Sequence, residues 1–364
     1  MDAVDNKYID DAITALMSTI GVKEFADSQK IVSLVRSRKV KEAIKVIAKH
    51  LGLPIEVNLS YVPKDYKANA TDGFHSSHLV KTDSRGRGTA GITAQVSIPS
   101  YLPLYGSSAM VNFPISVRVR ENCGEHAMTF VSVMAHELSH IVLHSMRHKE
   151  RQNEFYTDLT AMMLGFAEVM RLGRKVVSST RHGTTTTIET TTYGYLSDMN
   201  FDFAIDKIEG ILNAARTKQK QLLTKIKTRE SELRQKRIAV HYFRDYLAYL
   251  DRNLGKKLWA QKIPQHDGHW IASFHQADYT SEFESAMQRT ENELRQFFTF
   301  VQNLSHYDDT RFENIRKCEE KLQSIDIDKK YDRIRGAVII MKKYVSLTHR
   351  FHTFLKIKRV ARSA

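Results

Sequence analysis

Between Ile208 and Leu250, steps of four and three residues alternate without interruption. Ile208, Leu212, Ala215, Leu222, Ile226, Leu233, Val240, Phe243, Leu247 and Leu250 keep this register, and Gln219, Arg229 and Lys236 fill its remaining places. Such spacing lays every one of these side chains along one stripe of a helix, and so long a stripe is stable only against other helices. A second stripe runs through Phe283, Met287, Leu294, Phe297, Val301 and Leu304, and a third through Ile334, Val338, Met341 and Val345. Between the first two, residues 255–279 are richer in Gly, Pro, His and Trp and read as an irregular connection. The polar seam residues and the similar helix lengths favour an antiparallel bundle or helical hairpin over an extended dimeric coiled coil. Nothing in this half has the look of catalytic machinery.

Charge separates the same half from the rest. Residues 206–364 carry 32 Lys and Arg against 20 Asp and Glu, whereas residues 1–205 carry 23 against 21, so nearly all of the net +14 lies in the helical part. A basic half invites nucleic acid, an anionic membrane or an acidic protein as partner. The plainer reading is a solvated face of long helices, and no nucleic-acid motif accompanies the charge. With 42% hydrophobic and 26% charged residues the chain is neither disordered nor collagen-like, and its two cysteines, Cys123 and Cys318, make no disulfide scaffold or Cys-rich zinc site. No apolar run approaches the ~18 residues of a membrane span. The acidic start MDAVDNKYIDDAITAL lacks the marks of a signal peptide, so the expectation is a soluble cytoplasmic protein.

Residues 1–205 follow a different grammar. Helical patterns over 8–19 and 27–50 are followed by strand-like segments at 55–62, 91–99 and 111–120, which alternate and are rich in β-branched residues. The segment TDSRGRGTAG (82–91) reads as a loop joining two of them. After Gly124 comes a strongly apolar stretch long enough for a buried helix of about 20 residues. Helices, strands, then helices make an α+β domain.

That buried helix carries HELSH, residues 136–140. His136 and His140 are four apart, so both imidazoles share one helix face and can hold one zinc ion at ~2.0–2.1 Å. Glu137 can reach a metal-bound water as general base. Thirteen residues after His140 begins NEFYTD, in which Glu154 and Asp158 are again four apart. Glu154 can serve as third ligand, leaving one position open as catalytic zinc requires. Asp158 can accept the second ring N–H of a zinc-bound histidine and so fix its tautomer. His144 lies eight positions from His136, ~12 Å along the axis, too far to share its metal. It reads as a group beside the substrate, beside a ligand or on the surface, and His126, near the helix start, as structural.

HELSH followed by NEFYTD resembles the gluzincin signature of thermolysin-like peptidases, HExxH followed by Asn-Glu-x-x-Ser/Thr-Asp, over residues 136–158. The resemblance implies His136, His140 and Glu154 as ligands of one zinc per chain, Glu137 as catalytic base and Asp158 as partner of a ligand. The gap between the two motifs is shorter than in thermolysin. The setting is more similar to ImmA/IrrE-type bacterial metallopeptidase domains, which carry HExxH on a buried helix after a short sheet and are often regulatory. On this resemblance residues 1–205 are expected to form a zincin-like metallopeptidase domain, and 206–364 a basic α-helical bundle or hairpin.

The Thr-rich segment 181–198 reads as a β-hairpin or flap beside the cleft, from which Tyr193, Tyr195, His182 or Arg181 can donate to a tetrahedral oxyanion. An exposed hairpin without chemistry is an equal reading. A peptide substrate is expected to lie along a strand edge from 91–99 or 111–120. The expected activity is zinc-dependent hydrolysis of peptide bonds in an intracellular protein. The alternative is a regulatory or scaffold protein with a degenerate zinc site, whose basic half binds nucleic acid or a protein partner.

Overall fold

The computed structural model describes residues 5–63, 66, 74–75, 79–82, 88–91, 94–182, 185–254, 279–322, 327–336 and 339. The fold is mixed α+β. It divides into two compact units: Met1–Arg216 with Ser305–Phe312, and Thr217–Leu304 with Glu313–Ala364.

In the first unit, α1 (Asn6–Thr19) starts where the Asp5 carboxylate accepts the Tyr8 N–H at 2.8 Å, and it buries Ile9, Ala12, Ile13 and Leu16. The two-residue strand β1 (Val22–Lys23) follows. The pattern expected to give one helix over 27–50 gives two, α2 (Ser28–Arg36) and α3 (Val40–His50). Continuing the α2 stripe beyond Val35 by three or four residues would bury Arg38 and Lys39. The chain instead reverses at Arg38, with φ +61, and restarts its apolar face at Val40.

The sheet has the order β2–β7–β6–β3, built from β2 (Glu56–Val62), β3 (Phe74–His75), β6 (Ala94–Ser97) and β7 (Pro114–Arg120). β2 and β7 are parallel, in register from Glu56 opposite Pro114, whereas β6 is antiparallel to β7. Alternation puts Ile115, Val117 and Val119 in the core and Ser116, Arg118 and Arg120 on the other face. β7 is paired with β2 along its whole length and with β6 at Val117–Val119, so among the described residues that stretch of 111–120 has no free edge. β6 is flanked by β3 only at Val96 and Ser97 among the described residues. The loop expected at 82–91 ends in a strand: β4 (Leu79–Thr82) pairs with β5 (Gly88–Gly91).

Against this sheet lies α4 (Ala127–Ser145), buried at 17 of its 19 residues. Helices α2, α3, α5 (Glu154–Ala161) and α6 (Ala167–Gly173) surround it. Between α5 and α6 the helix kinks at Gly165, φ +99, where a Cβ would stand 2.4 Å from the Glu24 carbonyl oxygen. An antiparallel hairpin, β8 (Lys175–His182) with β9 (Thr185–Thr192), leads to the 57-residue α7 (Asp198–Leu254). A short strand, β10 (His306–Tyr307), pairs with β1. Cys123 and Cys318 are free and buried.

The second unit packs α7 against α8 (Tyr279–Gln302), with α9 (Asp309–Leu322) and a further helical stretch at 327–336. Leu222, Ile226, Leu233 and Val240 of the first stripe are buried, as are Phe283, Met287, Leu294, Val301 and Leu304 of the second and Ile334 of the third. Phe297 is half-buried. Residues 255–278, Val338, Met341 and Val345 lie outside the described residues, as do the side chains of Phe243, Leu247 and Leu250. Early α7 meets late α8 and later α7 meets early α8: Gln219 donates to the Val301 carbonyl at 2.6 Å, and Arg237 pairs with Glu284 and Glu291. The two helices are therefore antiparallel. The remaining polar seam residues are satisfied too, since Arg229 donates to Asp328 at 2.7 Å and Lys236 pairs with the same carboxylate. Among the described residues no helix is long and apolar enough to cross a membrane. Asp328→Ala leaves two half-buried cations without their shared anion and should lower stability by about 1–3 kcal/mol, read as an earlier denaturant midpoint for helical signal.

Candidate metal centre

Two helices bring the HELSH and NEFYTD residues together. α4 is apolar all round, so its polar groups are held in the core: His136 and His140 are each only 4% exposed and Glu137 is fully buried. The chain turns after α4 through Arg147, φ +55, and α5 begins at Asn153, whose side-chain oxygen accepts the Phe155 N–H at 3.0 Å. The Asn of NEFYTD is thus the cap that starts the helix. Its Nδ2 donates to the Tyr8 hydroxyl at 2.8 Å, tying α5 to α1. With α5 so fixed, Glu154, Thr157 and Asp158 face the two histidines.

Glu154 Oε2 stands 3.1 Å from His136 Nε2 and 3.3 Å from His140 Nε2, and the three potential ligand atoms lie within 4.8 Å of one another. Tetrahedral zinc with bonds of ~2.0–2.1 Å holds its ligand atoms about 3.4 Å apart, so the cluster has the dimensions of a zinc site. The far side of each ring is also engaged. His136 Nδ1 donates to Asp158 Oδ1 at 2.7 Å, because a carboxylate there can only accept. Thr157 spends its hydroxyl hydrogen on the Asn153 carbonyl at 3.1 Å, which leaves its oxygen to accept from His140 Nδ1 at 3.3 Å. Both neutral imidazoles then turn an Nε2 lone pair towards the Glu154 carboxylate. Three lone pairs at such distances repel unless a proton or a metal cation lies among them.

Without metal, a proton fills that need. Burial opposes charge on His136, but the Asp158 carboxylate, with Glu154 and Glu137, overrides it and raises the imidazole to about 10. Burial likewise pushes Glu154 up, and its hydrogen bonds to the two histidines carry it down to about 2. The metal-free cluster is therefore an imidazolium between carboxylates.

Tyr195 comes to the same place. Its ring stacks on His136 with centroids 5.7 Å apart and planes 23° from parallel, and its backbone N–H donates to Asp158 Oδ2 at 2.7 Å. Tyr193 is half-buried, with its N–H on the Arg174 carbonyl at 2.7 Å. The hairpin expected at 181–198 spans 175–192, so both tyrosines sit in the strap that follows it rather than in its strands. The side chains of Arg181 and His182 lie outside the described ones. His144 is half-buried on the last turn of α4, and His126 is exposed at its start. His148 accepts the Glu150 N–H at 3.1 Å and packs on Tyr156, away from the cluster.

Three contributors were not anticipated. Thr157 stands inside NEFYTD, three residues beyond Glu154, so helix spacing alone could have found it. Gly194 and Arg174 carry no such signal, because they reach the site through a hairpin whose path no local pattern fixes. No protein-family model, curated protein or solved structure matches the chain.

A metal entering this cluster would have to displace the His136 proton, so on a zinc reading the affinity should climb about tenfold per pH unit from 6 to 9. Competition with a chromophoric chelator would measure this, and a flat profile would show that no such proton is displaced.

Proposed function

We propose that the protein is a zinc-dependent metallopeptidase of the gluzincin kind that HELSH and NEFYTD resemble, hydrolysing peptide bonds in a protein substrate and holding one zinc per chain. The observation that carries this reading is the convergence of two imidazole Nε2 atoms on one carboxylate oxygen. Each ring is fixed from behind by its own acceptor, and a fully buried glutamate is next in sequence to the first histidine. A structural zinc would call for a fourth protein ligand, and the one candidate ligand cluster among the described residues has three members.

His136, His140 and Glu154 would hold the metal. Zinc, when bound, acidifies water and polarises a carbonyl. Glu137 takes the proton of the attacking water and delivers it to the leaving amine. Asp158 and Thr157 keep the imidazoles in the tautomer that binds. Of the two strap tyrosines, Tyr195 is the better placed to donate to the developing oxyanion, because its ring already lies beside His136.

Metal content by mass spectrometry, with turnover of a denatured protein substrate, tests the reading. Wild type and Glu137→Gln should each carry about one zinc, with turnover in Glu137→Gln down by at least about 10²-fold. Glu154→Ala should lose the metal. A wild-type protein that stays metal-free after zinc is supplied would remove the peptidase reading.

A further inference from the structure

We infer that Arg174 is a positioning residue for the metal centre, acting through the strap Tyr193–Leu196 on Asp158 and thereby on His136. This rests on the metal reading above and names what holds one of its ligands in place.

Arg174 grips the strap at two points. Its carbonyl accepts the Tyr193 N–H at 2.7 Å, and its Nη2 donates to the Leu196 carbonyl at 2.6 Å. Between these anchors Gly194 takes φ +93, a left-handed turn, which aims the next N–H at the centre. That N–H, from Tyr195, donates to Asp158 Oδ2 at 2.7 Å, while Asp158 Oδ1 accepts from His136 Nδ1 at the same distance. The carboxylate therefore has one oxygen for the strap and one for the ligand. With Oδ2 held, it cannot swing about its terminal bond, and the His136 ring keeps Nε2 towards Glu154. Without the strap donor only the His136 bond restrains the carboxylate, and the ring is held less firmly in its orientation.

The surroundings of Arg174 argue against a stabilising role. The residue is 5% exposed, its guanidinium stacks 4.4 Å over the Phe201 ring, and Asp198 lies 3.3 Å from Nη2. Nε and Nη1 meet no hydrogen-bond acceptor among the described residues. Burying a guanidinium with two donors unmet costs stability, and an apolar chain of similar length would pack there at lower cost. Replacing it does not strand Asp198, which also pairs with Lys175 at 2.5 Å. Stability and positioning thus give opposite expectations for Arg174→Met.

The test uses the full chain as wild type, Arg174→Met, Arg174→Lys and Gly194→Ala. Zinc affinity, the visible spectrum of the cobalt-loaded protein, thermal unfolding of the metal-free protein and the His136 Nδ1–H proton resonance of the metal-free protein are read in each. Arg174→Met should bind zinc about 10- to 100-fold more weakly and shift the cobalt bands, with metal-free thermal stability held or raised. Arg174→Lys can still donate to Leu196 and should recover part of the affinity. Gly194→Ala keeps Arg174 but brings a Cβ within 3.2 Å of Asp158 Oδ2 at a φ hostile to alanine, and it should weaken zinc in the same direction. It carries the test if Arg174→Met fails to fold. Affinity and cobalt spectrum unchanged in both variants, or an affinity loss that merely tracks lost metal-free stability, would overturn the proposal. If wild type binds no zinc, the metal reading fails separately. The Nδ1–H resonance then decides for Arg174: faster exchange in Arg174→Met upholds the link to His136, and an unaltered signal refutes it.

Discussion

The first unit is organised by the burial of α4 on every side. A helix that touches sheet on one face and four other helices around the rest has no solvent to satisfy its polar groups, so each of them demands a protein partner. Ser139 turns back to the Ala135 carbonyl of its own helix. The imidazoles cannot do this, and their needs dictate what α5 must carry: an acceptor behind each ring and a carboxylate between them. NEFYTD supplies all of these within one and a half helical turns, because Glu154, Thr157 and Asp158 share a face at steps of three and four. The cap at Asn153 sets where that face begins.

The helical unit meets the same requirement differently. Its seam is not uniformly apolar, and the three polar residues that interrupt it are those that fix how the helices meet. Gln219 reads the main chain at the end of α8, while Arg229 and Lys236 converge on Asp328. An apolar stripe alone tolerates sliding by a turn. A half-buried amide or cation that must meet an acceptor beyond its own helix does not, which makes such residues devices of register more than of stability.

Much of this was legible in order along the chain. The α4 and α5 residues of the cluster followed from i, i+4 spacing, because a helix fixes which side chains are neighbours without reference to anything distant. The alternation at 55–62 and 111–120 gave β2 and β7, and the seven-residue register gave α7. The break at Arg38 was also written in the sequence, in the two cations that would have fallen on a buried stripe, but a continuous count of apolar residues passes over it. Strand order was another matter. That β7 lies between β2 and β6, paired on both sides at Val117–Val119, depends on pairings between residues far apart in sequence, and alternation says nothing about which strand is a neighbour.

The sequence by itself determined which residues could form the centre, since helical periodicity is local and acts through the backbone of one segment. It also determined that the C-terminal half must be helices packed on helices. Only the tertiary structure decided how the centre is held: the approach of α5 to α4, the choice of Thr157 as the second acceptor, and the return of the chain through Arg174 and Gly194 to place the Tyr195 N–H on Asp158. These contacts join positions separated by up to 37 residues. Their geometry is set by the packing of whole elements against one another, a property that no stretch of the chain contains alone.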